Sequence, residues 1–306
     1  MNSTTVTLSV YLANVQTQIV RSLLTSIYII GNLTNLANIL IFSQATLRSH
    51  VCSYYFISLS LAHLLYLNMG CSTRIIWAWT DYDLSLKSLA FCKARIYFVL
   101  VGLTTARYLL CLISIDRWMI TSRNALTRRL SSRKVARRLI IGGIICLLFI
   151  IIHTSFAYTI IRNTTCAVPT ESGFFIPTTI YNVALSLVPL IILVIFSLLM
   201  LYNIHHVEKQ QITPAERSMV TNVASFHGRR YKKKDIQFIR LTLLQVTAYF
   251  VFNTLLAYNT IYTVATQYHT KTIDRQALDD FLYGLGLNLH YTYTGVKFLT
   301  RIIRFI

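Results

Sequence analysis

Two places in this chain of 306 residues carry side chains fitted for more than packing. Asp116 and Arg117 stand together at the end of a long apolar run, followed by Trp118. An adjacent acid and guanidinium can close as an ion pair and open again, which is the chemistry of a switch rather than of a reaction. Cys92 opens the same run. An α-helix rises about 1.5 Å per residue, which puts Cys92 and Arg117 about 37 Å apart, against a hydrocarbon core of about 30 Å. A thiol at one membrane face and an ion pair at the other suit a device that senses outside and reports inside. There is no nucleophile paired with a base, no HExxH, no phosphate loop and no Cys/His metal spacing. Neither catalysis nor a metal or other cofactor is therefore expected.

These residues must be positioned by helices in lipid. The chain is 55% hydrophobic and 13% charged, with mean hydropathy +0.55, whereas soluble domains carry about 25% charge. The apolar residues form blocks of bilayer length. Spans are predicted over about Ile19–Phe42, Cys52–Trp77, Phe91–Met119, Leu139–Ile161, Phe174–Asn203, Ile236–Val264 and Ala277–Thr300. The fold expected is an all-α membrane protein, a seven-transmembrane helix bundle. Residues 1–18 form an extracellular N-terminal segment without a cleavable leader, 19–300 the bundle, and 301–306 a short cytoplasmic tail.

The net charge of +19 invites a nucleic-acid reading, but its distribution points to the membrane. Fifteen Lys and Arg fall in segments assigned to the inside and six in those assigned outside. The N-terminus is therefore expected outside and the C-terminus inside. That places Cys92, Cys166 and two glycosylation sequons, at Asn2 and Asn163, on the outer side. The basic run Arg229–Lys234 between spans five and six is expected to meet anionic lipid headgroups or a protein partner.

Polar residues inside lipid are costly and face the bundle. Asn32, Asn35 and Asn38 recur every three residues as one stripe of span one. His63 lies mid-way along span two. Arg107 lies deep in span three and needs an internal partner, with His63 and Asn253 the first to check. Arg74 and Arg95, near the outer ends of spans two and three, are candidates to line a ligand cavity and to favour an anionic group. Snorkelling to the interface is the alternative. Asn253 and Tyr258 on span six join the pocket candidates, although packing explains most single aromatic positions there. The other cysteines, Cys52, Cys71, Cys111 and Cys146, read as small apolar residues.

In order along the chain, Gly31-Asn32, Leu59-Ser60-Leu61-Ala62-His63, Cys92 with Cys166, Asp116-Arg117-Trp118 and Pro189 resemble the motifs of the rhodopsin-like (class A) G-protein-coupled receptors. The likeness covers essentially the whole chain and looks closest to invertebrate orphan and FMRFamide-type peptide receptors. It implies a plasma-membrane receptor that binds an extracellular peptide or small molecule and activates a heterotrimeric G protein. It further implies a Cys92–Cys166 disulfide over the bundle mouth. Arg117 is implied as the switch arginine, with Asp235 at the start of span six as a second acidic partner. The departures are as specific. His63 stands where the family keeps an aspartate that holds sodium, Leu255 and Asn253 replace a proline and a tryptophan in span six, and Thr294-Gly295-Val296-Lys297-Phe298 stands for NPxxY. A seven-helix transporter or ion carrier, and a receptor-like binding protein that signals weakly, remain the alternatives. Internal repeats and broken helices, frequent in transporters, are not evident, and no mid-span lysine offers retinal a Schiff base.

Overall fold

The computed structural model describes residues 3–122, 124–161, 165–169, 171–212, 233–267 and 269–296. Asn2, Asn163, the cluster Arg229–Lys234 short of Lys233, Lys297 and the tail 301–306 lie outside them, as do the side chains of Lys233, Lys234 and Asp235. Six helices are long and apolar enough to cross a membrane: Leu8–Ser43, Val51–Thr80, Leu89–Thr121, Arg133–Ala157, Phe175–His205 and Ile236–Ala265. A seventh, Ile273–Val296, is more polar, with Asp274, Arg275, Asp279 and Asp280 in its first two turns, and it packs into the same bundle.

The helix ends follow from local chemistry. Span three starts where the Ser88 hydroxyl accepts from Phe91 N, and span four where Ser132 accepts from Val135 N. Spans one and two each contain a wider turn, at Val20–Leu24 and Leu67–Cys71. Span one also begins earlier than its hydropathy suggests, because the helix already runs from Ser3. Span four ends at Ala157, short of the Ile161 expected. The β-branched run Thr159–Ile161 (β1) pairs antiparallel with Thr165–Ala167 (β2) instead, with Ile160 opposite Cys166. This two-stranded hairpin is the one departure from the all-helical expectation among the described residues.

Span three is the pillar. Two thirds of its most apolar window (67%) is buried inside the bundle, against 17% for span four, which rides on the outside. Small residues let backbones touch it. A Cβ on Gly102 would sit 2.8 Å from Tyr66 N and 3.0 Å from Ala62 O, so spans two and three meet main chain to side-chain-free surface there. Spans one and seven meet in the same way at Gly31 and Gly295, where Thr34 Oγ1 donates to Gly295 O and Asn35 Nδ2 to Thr294 O. The inner half is filled by Phe42, Phe56 and Phe238, from spans one, two and six, with ring centroids 5.0 to 6.4 Å apart.

Candidate functional site

At the C-terminal end of span three, Asp116 and Arg117 are 1% and 2% exposed and joined as an ion pair through Asp116 Oδ2. Arg117 Nε adds a second bond to the same oxygen at 3.2 Å. The other carboxylate oxygen accepts from Ser131 Oγ at 2.6 Å, and Cys52 Sγ approaches Oδ2 at 4.0 Å. The acid is thus held by the connector between spans three and four and by span two. The arginine is held by span six: its guanidinium lies over the Phe238 ring, 5.8 Å from the centroid. Trp118 points elsewhere, edge-on to Phe196 of span five. Neither Ser131 nor Phe238 was singled out from sequence. Phe238 lies one helical turn beyond Asp235, whose side chain lies outside the described residues.

At the opposite end, Cys92 and Cys166 form a disulfide with Cα atoms 6.0 Å apart. It ties β2 to the top of span three, which lays the hairpin across the bundle. Between spans six and seven the connection is clamped by Lys271, which pairs with Asp279 at 2.7 Å, and by Arg275, which donates to Tyr262 OH.

Toward the same end of spans two and three lie Arg74 and Arg95. Arg95 Nε donates to Thr73 Oγ1 at 2.8 Å, and its NH1 reaches Ser85 Oγ at 3.5 Å. Arg74 follows Thr73 directly, and its Nε is buried with no hydrogen-bond partner among the described residues. The buried Tyr291 of span seven sets its hydroxyl against Gly70, one turn before Arg74. Neither Arg74 nor Arg95 has a carboxylate partner among the described residues, whose ion pairs are Arg117–Asp116, Lys271–Asp279 and Arg275–Asp279. The structure therefore brings Arg74 and Arg95 to one region facing the interior. Tyr258, by contrast, is 56% exposed and stacks on Tyr262, so it is turned away from that region.

The middle of the bundle holds the remaining polar residues. Asn32 accepts from Asn68, which in turn accepts from Tyr28 OH, while Asn35 and Asn38 are buried. The span-one stripe thus faces inward along most of its length. Asn253 donates to Tyr249 O and accepts from His290 Nδ1. His63 and His290 are buried against a small chamber of about 10 Å³, whose wall also includes Arg107, Tyr249 and Tyr293. The partner of Arg107 is neither His63 nor Asn253. Its NH1 donates to Leu185 O at 2.9 Å. Pro189 sits four residues on and has no N–H, so this carbonyl lacks its helical donor, and the arginine of span three supplies one. The buried cation and the span-five proline are two halves of one contact.

Residues 34–291 match the family model described as 7 transmembrane receptor (rhodopsin family). No individual curated protein matches the chain.

Proposed function

The chain belongs to the rhodopsin family of seven-transmembrane receptors, and from that premise we propose that it stands in the plasma membrane with its N-terminus outside, takes an anionic extracellular ligand, and passes the signal to a heterotrimeric G protein through Arg117. The observation that carries this reading is the sealed state of Arg117. The guanidinium is almost wholly buried, engaged by Asp116 of its own helix and lidded by Phe238 of span six. A movement of span six away from span three would uncover it at the inner face. A ligand that binds the open arrangement more tightly shifts the population toward it. The inner excess of Lys and Arg supports the orientation, and the basic run before span six suits contact with anionic lipid or with the G protein.

For the ligand, the support is electrostatic. Arg74 and Arg95, toward the end of the bundle that carries the disulfide, have no acid partner among the described residues, so a carboxylate on a peptide or small molecule would be their missing partner. Residues 1–18 and 301–306 are assigned to the outer segment and the inner tail, and Asn2 and Asn163 to glycosylation, on the same orientation. The receptor-like binding protein that signals weakly is kept as a second reading by one observation: the span-six helix runs unbroken through Asn253 and Leu255, with no proline to hinge it.

A second-messenger screen of transfected cells against peptide and small-acid libraries tests the proposal. Active compounds are expected to carry a free acid. Arg95→Gln should lower their potency about 10- to 100-fold at equal surface density, the loss of one charge-assisted contact. Hits that are uncharged or cationic, with potency unmoved by Arg95→Gln and Arg74→Gln, would remove the anionic-ligand assignment.

A further inference from the structure

Arg107 poses a problem that its contact with span five does not solve. A guanidinium cannot shed its proton, and an isolated charge in the middle of a membrane protein is expensive unless countered. Arg107 is 6% exposed, about 15 Å along the helix from Arg117 and about 22 Å from Cys92, and so lies near mid-membrane. The Leu185 carbonyl satisfies one N–H but brings no charge, and no acid stands beside it among the described residues of the wall. Its Nε is buried with no hydrogen-bond partner among the described residues. The chain has only ten Asp and Glu in all. The one nearest on the same helix, Asp116, is about 13 Å away and already committed to Arg117. Among the described residues no carboxylate lines the chamber, whose wall near Arg107 is made by His63, Tyr66, Tyr249, His290 and Tyr293.

We propose that this chamber is a halide site, with chloride as the counter-ion of Arg107. A single atom carrying one negative charge meets the requirements there. It is small enough for the limited space between the helices, it balances the one permanent charge among the described residues of the wall, and it can accept from Arg107. Water would satisfy hydrogen bonds but leave the charge uncompensated. The inference is independent of the ligand assigned to Arg74 and Arg95. It follows from the sign of the field: a bundle centre with a cation and no acid selects an anion.

The test uses the full chain, purified into lipid nanodiscs and unfolded thermally. In about 0.15 M sodium chloride the midpoint should lie at least about 3 °C above that in sodium gluconate, because bound ion stabilises the folded state by mass action. The effect should saturate with chloride concentration, and bromide should reproduce it. Arg107→Gln should abolish the difference, whereas Arg74→Gln, at the outer cations, should preserve it. Should Arg107→Gln fail to fold, equilibrium binding of radioactive chloride to the unaltered receptor decides, with about one ion per receptor expected. Equal midpoints in chloride and gluconate, no bound chloride, or a full halide response in Arg107→Gln would each overturn the proposal. Acetate replacing chloride with equal effect would also overturn it, by showing a carboxylate site open to the ligand mouth.

Discussion

Replacing Cys92 by serine is expected to cut the receptor reaching the cell surface about tenfold, because a native disulfide contributes about 2–5 kcal/mol and cellular abundance follows stability steeply. The bridge is what holds β2 over the bundle: the hairpin has only three residues in each strand, too few to stay in place by pairing alone. Cys92 is fully buried, so serine also leaves a hydroxyl in an apolar site. Cys166→Ser should give the same loss, and the double variant no more than either single one, since both remove one bond. Cys146, exposed and unbridged, is the control, and Cys146→Ser should leave surface density unchanged. Surface biotinylation of intact cells reads the result. Cys92→Ser at normal surface density would mean that the hairpin is held by other contacts.

Replacing Asp116 by asparagine is expected to raise ligand-free signalling several-fold, to as much as about tenfold, with a lower thermal midpoint. Removing one partner of a buried ion pair costs about 3–5 kcal/mol, since the remaining charge is left uncompensated. That cost falls on the closed state, in which Arg117 is only 2% exposed. An open state that hydrates the guanidinium escapes most of it, so the equilibrium moves toward opening by a tenfold factor for each 1.4 kcal/mol of difference, about. The supporting contacts grade the effect. Ser131→Ala removes one hydrogen bond to Asp116 and should move basal output in the same direction by a smaller factor, in keeping with about 1 kcal/mol. Basal nucleotide exchange on G protein at matched surface density reads both. A folded Asp116→Asn receptor with unchanged or lower basal output would contradict the role of the pair as a restraint.

The parts of the fold legible in the sequence were those with a strong local signal. Bilayer-length hydropathy located spans two, three and six to within about three residues, but not the start of span one, which runs from Ser3, nor the ends of span four. The Cys92–Cys166 pairing came from the family likeness, because spacing alone cannot choose partners among six cysteines. Thr159–Ile161 was assigned to span four because three β-branched and apolar residues read the same at the end of a helix as in a short strand. The partner of Arg107 was missed for a different reason. It is a main-chain carbonyl, which no residue type announces, although Pro189 marks Leu185 as the carbonyl deprived of its donor. Tyr258 failed as a pocket residue since an aromatic on a membrane helix suits either face, and only packing shows which. Ser131 lies in a basic connector with several other hydroxyls, and nothing in its residue type distinguishes it as one that reaches Asp116.

The most direct measurement needs no ligand. Receptors carrying Asp116→Asn, and Asp116→Asn together with Arg117→Ala, are placed in nanodiscs at equal amounts with purified heterotrimeric G protein, and guanine-nucleotide exchange is followed. If Arg117 is the group that the inner face offers once its restraint is gone, the single variant accelerates exchange and the double variant falls to the rate of G protein alone. Exchange by the double variant as fast as by the single one would contradict it, and Arg117 would then be a structural ion at the end of a helix.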